Sequence, residues 1–155
     1  GTPILPHGMG AYYNIIGRGI SSGTPGLFDT YGEYMAFKGS IVGAAINIFI
    51  VDTTFTHSIR IYAANYSTTS TPFRQEIGSY SGIRGDQGSL YYDAVNNVSG
   101  VIAQNSLLTR ATTPLNPGII DFARGDHIGI FVENTGRSGN QVLCAIEGTL
   151  YLQTP

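Results

Sequence analysis

Apolar and polar residues alternate with a period of two along much of this chain, and no stretch repeats its apolar positions at helical spacing. Residues 39–51 end in Ile46, Ile48 and Ile50 on one face and Asn47, Phe49 and Val51 on the other. In 58–65, Ile59, Ile61 and Ala63 oppose Arg60, Tyr62 and Ala64. Segments 118–122 and 127–133 are short β-branched or aromatic runs, and 141–152 is a longer one. Turn-forming residues fall between them: Thr71-Pro72, then Gly82 to Gly88, Pro114 to Gly118 and Asn134 to Asn140. Short strands at this spacing predict an all-β sandwich or barrel. The 21 glycines agree, since they break helices and supply turn conformations. With no internal repeat or long linker, 1–155 reads as one domain, the sandwich spanning 36–155. Residues 1–35 differ, with seven glycines from Gly8 to Gly32 interleaved with Tyr12, Tyr13, Phe28, Tyr31 and Tyr34. They are expected to be extended backbone with one or two irregular strands, lying on the sandwich or on a neighbouring subunit.

Composition narrows the class. An apolar share of 42 % excludes a disordered chain, and no apolar run reaches the ~18 residues of a membrane helix. Charged residues make up only 12 %, about half the usual share. Lys38 is the single lysine and the net charge is −2, so nothing would draw in a polyanion, and no nucleic-acid partner is expected. So few charges on a chain rich in Ser, Thr, Asn and Gly suggest that association covers part of the surface. Cys144 stands alone, so no intrachain disulfide forms, and it reads as a small buried strand residue. The chain opens Gly1-Thr2-Pro3 without Met, as expected of a piece of a longer protein.

The C-terminal third is the most specific part. Gly118-Ile-Ile-Asp-Phe-Ala-Arg-Gly-Asp-His-Ile-Gly-Ile-Phe-Val-Glu133 places an apolar strand, a Gly-Asp turn and a second apolar strand in succession. Gly125 can take positive φ there, and Asp126 can bind nearby backbone amides. A final strand, 142–152, follows a Gly/Asn loop. This order resembles the closing strands of C1q/TNF-like jelly-roll heads, in which a phenylalanine, two residues, Gly-Asp and an apolar strand precede the last strand. The resemblance covers the last third of the chain and extends to 39–65, but not to residues 1–35. It implies a two-sheet jelly roll whose flat faces associate as a homotrimer, as in knobs that cap phage tail needles, fibres and spikes. Such a knob would sit at the virion surface or outside the cell. It would contact a host cell-surface glycan, protein or membrane, by receptor binding or envelope penetration. The chain departs from that pattern in having no collagen-like or heptad stem. Two other readings stay open: a sugar-binding or C1q-like adhesion module of a cellular organism, and a structural cap that registers a trimeric stem.

Catalytic chemistry finds little footing. Ten acidic residues are scattered, and nothing in the sequence joins two of them into a glycosidase-like pair. His7, His57 and His127 lack metal-ligand spacing. Gly78-Ser-Tyr-Ser-Gly82 has Tyr80 where a nucleophile elbow needs serine. The chain is therefore expected to be non-enzymatic, without cofactor or metal. Arg-Gly-Asp occurs at Arg84–Asp86 and Arg124–Asp126, the second accounted for by the turn signature. The first lies in a loop-like stretch, where a plain polar turn stands against an integrin-type contact. Segment 68–97 is the expected binding surface: Arg74, Tyr80, Arg84, Asp86, Tyr91 and Tyr92 combine ring faces with guanidinium forks suited to sugars and carboxylates. The competing reading makes Tyr91 and Tyr92 strand residues, one inward and one outward.

Overall fold

Eleven strands and no helix are found among the residues described in the computed structural model: 4–16, 33–52, 57–65, 67, 73–82, 87–103, 108–134 and 141–155. In chain order the strands are β1 (Ile4–Ile16), β2 (Glu33–Tyr34), β3 (Gly39–Asp52), β4 (His57–Asn65), β5 (Phe73–Gly82), β6 (Gln87–Asp93), β7 (Val98–Ala103), β8 (Leu108–Arg110), β9 (Ile120–Phe122), β10 (His127–Asn134) and β11 (Gln141–Gln153). They form two antiparallel sheets. Sheet A runs β1-β11-β3-β6-β7, with β9 beside the start of β3, and sheet B runs β2-β10-β4-β5-β8. The alternation seen in the sequence decides which face of each sheet is buried. Ile41, Ile46, Ile48, Leu90, Tyr92 and Leu150 of sheet A meet Ile59, Ile61, Ile77, Tyr80, Ile128 and Ile130 of sheet B in one core. Each such side chain contributes about 1.5–3 kcal/mol by leaving water. Close packing also dictates residue size: a Cβ on Gly148 would strike backbone and side chain of Ile46.

Two readings of the sequence are corrected. Residues 4–16 are extended, as expected, but form one long strand paired without a register shift from Ile4↔Gln153 to Ile16↔Gln141, where irregular strands were expected. Its glycines and proline weaken the local strand signal, and β11 supplies the partner. Segment 68–97 is also not a long loop, because β5 and β6 occupy most of it. Ser, Gly and Tyr in these strands imitate loop composition, and the alternation of Gln75, Ile77 and Tyr80 is obscured by a bulge beside Ile61/Tyr62.

The Gly-Asp turn closes one end of the sandwich. Gly125 has φ +88°, as expected, and its N–H donates to Met35 O at 2.6 Å. The Asp126 carboxylate accepts from Ala123 N–H and from Asn65 Nδ2, each at 2.9 Å. Asn65 Nδ2 also donates to Asp121 O, so this buried amide ties β4, β9 and the turn together. Register places Ile4 and Gln153 at this same end. Residues 17–32, 53–56, 83–86, 104–107 and 135–140 lie outside the described residues.

Candidate functional site

The two outer faces of the sandwich differ in chemistry. On sheet A, register aligns the outward positions in rows: Tyr151–Gly43–Asp93–Val98 and Thr149–Ala45–Tyr91–Gly100 across β11, β3, β6 and β7, and Asn47–Ser89–Ile102 across β3, β6 and β7. None of these residues is basic, and Asp93 is the acid among them. Asp93 is committed to its own turn: its carboxylate accepts from Val95 N–H at 2.9 Å, Asn96 N–H at 3.1 Å and Asn96 Nδ2 at 2.6 Å. The Asn96 side-chain bond, joined by the two amides, holds the Asp93 carboxyl below its ordinary range. Ser89 donates to the Asn47 side-chain oxygen, so two further polar groups satisfy each other.

What this face presents is apolar. Tyr91 and Tyr151 remain 38 % and 37 % exposed and flank a cleft of about 370 Å³. Gly43 and Ala45 line it between the rings, with Val95 and Asn96 at the turn after β6. The Tyr91 ring lies against Gly100, leaving no room for a Cβ there. Val98 and Ile102 of β7, the last strand of this sheet, are exposed as well, Ile102 by 68 %. Flat β-surface with open tyrosines, small residues between them and almost no charge suits close approach by another protein surface.

The residues proposed from sequence scatter. Tyr80 is 2 % exposed and sits in the core on β5, so it cannot meet a ligand at the surface. Tyr92 is likewise inward and Tyr91 outward, which is the strand alternation weighed above. Burial raises the Tyr92 phenol well above its ordinary pKa, and its hydroxyl has no hydrogen-bond partner. Arg84 and Asp86 lie outside the described residues. In the second Arg-Gly-Asp, Arg124 Nε donates to Ala36 O at 3.1 Å and the Asp126 carboxylate is occupied, so the tripeptide is a fastened turn. Among the proposed residues that are described, Arg74 joins a constellation of charged groups, on the outer face of sheet B. Among the described residues no three His, Cys, Asp or Glu side chains gather as metal ligands. The sequence reading missed Tyr151, whose partners in the cleft come from strands far away in the chain.

No protein-family model matches this chain, and no curated protein matches it significantly.

Proposed function

We propose that this domain is a trimeric jelly-roll head, non-enzymatic, at the tip of a phage tail needle, fibre or spike, where it contacts the host cell surface. The observation that carries the reading is the nearly uncharged outer face of sheet A, with Tyr91, Tyr151, Val98 and Ile102 open beside a cleft of about 370 Å³. On a chain with 12 % charged residues, such a face is best accounted for by burial against copies of itself. A heterologous contact that closes after three copies removes it from water, whereas an isolated monomer would leave it exposed. The strand order supports the jelly-roll form. β1-β11-β3-β6 in one sheet and β2-β10-β4-β5 in the other is the pattern of two interleaved Greek keys, with β7, β8 and β9 added. The Phe122 to Asp126 signature supports the comparison with phage heads. Because Ile4 and Gln153 share one end, a stem joined there would leave the opposite end directed outward, and a head so placed belongs at the virion surface.

Light scattering at micromolar concentration tests the assembly. The expected mass is close to three chains, and Tyr151→Asp should lower it to one by placing a carboxylate in the contact. A parent domain that runs as a clean monomer overturns the reading.

A further inference from the structure

The outer face of sheet B carries a second constellation. Register sets Arg60 and Tyr62 of β4 beside Arg74 and Glu76 of β5 and Phe131 and Glu133 of β10. Arg74 reaches across the middle strand. Its guanidinium lies 4.4 Å from the centroid of the Tyr62 ring and 5.3 Å from that of Phe131, and its Nη1 stands 3.9 Å from the Glu133 carboxylate. Arg60 stands 3.9 Å from Glu76.

Both ion pairs are too long for hydrogen bonds, so charge is balanced while hydrogen-bonding capacity stays unused. Arg74 Nη1 is buried with no acceptor, and the Glu133 side chain is only 9 % exposed. Tyr62, Ala64 and Phe131 around it are 7 %, 0 % and 0 % exposed, so the face is closed there and is reached at Arg60 and Glu76. Two guanidiniums and two carboxylates cancel, which removes any preference for a charged ligand. What remains is donors and acceptors side by side on strands about 4.8 Å apart, within the span of one sugar ring. Arg60 is 56 % exposed and Glu76 33 %, so both can be reached from solvent. Ser58 and Ser81, with hydroxyls 3.3 Å apart, extend the polar surface along β4 and β5.

We propose that the open part of this face is a binding subsite for a neutral polyhydroxylated ligand, an uncharged saccharide, with Arg60 donating to its hydroxyls and Glu76 accepting from them. Recognition is by hydrogen bonds, since Arg74 already covers the Tyr62 ring. The inference rests on the reading of the domain as a surface-contacting head, and adds the face and the ligand class.

Isothermal titration of the intact protein tests it, using neutral oligosaccharides of glucose, galactose, mannose and N-acetylglucosamine alongside their uronic-acid and amino-sugar counterparts. At least one neutral oligosaccharide should bind. Arg60→Ala and Glu76→Gln should each weaken it about tenfold or more while the protein stays folded, as expected for losing a charge-assisted hydrogen bond. Binding by none of the panel, binding confined to charged sugars, or binding indifferent to both substitutions overturns the site. A trimer that attaches to cells yet binds no neutral sugar would overturn the site alone. A monomer that binds one through Arg60 and Glu76 would overturn the assembly and keep the site.

Discussion

Valine at position 125 isolates the backbone contribution of the Gly-Asp turn. An added Cβ at Gly125 meets nothing within 4 Å, so no steric contact with neighbouring groups enters the result. What opposes the substitution is φ +88°, a region that costs an L-residue about 1–2 kcal/mol and a β-branched one more. Losing glycine also restricts the unfolded chain, which returns about 0.4–1 kcal/mol. If the turn shifts to relieve the strain, the 2.6 Å bond from Gly125 N–H to Met35 O goes with it, at about 1 kcal/mol. The net expectation for Gly125→Val is a loss of about 2 kcal/mol. Gly125→Asn should lose less than about 1 kcal/mol, because asparagine tolerates left-handed backbone. Urea unfolding monitored by far-UV circular dichroism measures both. Equal losses for Val and Asn would refute the argument, since they share the added Cβ and differ mainly in their tolerance of this φ.

Other predictions follow from burial and charge. Tyr80→Ala should cost about 3–5 kcal/mol, as for other buried aromatic truncations, and should impair attachment only through unfolding; a folded, non-binding variant would restore Tyr80 as a contact residue. Tyr92→Phe should be neutral or stabilising by up to about 1 kcal/mol in denaturant melts, because it deletes a buried hydroxyl without a partner. The same change should flatten the alkaline limb of stability. With its pKa raised on folding, Tyr92 contributes stability that is lost as pH rises above the unfolded phenol value, and phenylalanine removes that dependence. Glu76 acts in the opposite range. Burial raises its carboxyl pKa in the fold, Arg60 opposes and Glu133 adds, so melting temperature should gain from proton uptake by Glu76 as pH falls through that raised value. Glu76→Gln should remove the gain, and an unchanged profile would show that Glu76 does not titrate as described.

Much of the fold was legible in the sequence wherever one face of a strand is buried. Ile46 and Ile48 of β3 and Ile59 and Ile61 of β4 alternate with polar or small residues because only one side of each strand meets the core. The turn at Gly125 was legible for a different reason: a glycine before an aspartate between two apolar runs encodes its own backbone angle and its own hydrogen bond. Legibility fails where partners are remote. β1 looks irregular because Pro6, Gly8 and Gly10 disfavour a strand locally, yet all thirteen residues find partners on β11 at the other end of the chain.

The surface features were less legible, for a reason that follows from strand geometry. Loop-like composition in 68–97 suggested outward side chains, but a strand sends alternate residues to opposite faces whatever its composition. Tyr80 and Tyr92 therefore went to the core, while Tyr91 went outward. The low overall charge conceals a division that only the pairing of strands reveals. Arg60, Arg74, Glu76 and Glu133 converge on sheet B, while no basic residue reaches the aligned outward rows of sheet A. A two-sheet sandwich has two outer faces, and burying that of sheet A against copies of the chain leaves Arg60 and Glu76 of the other accessible, although Tyr62, Ala64 and Phe131 beside them are already covered. The face with unspent hydrogen-bonding capacity suits contact with a ligand, because burying its charges between subunits would cost more than burying the nearly uncharged face of sheet A.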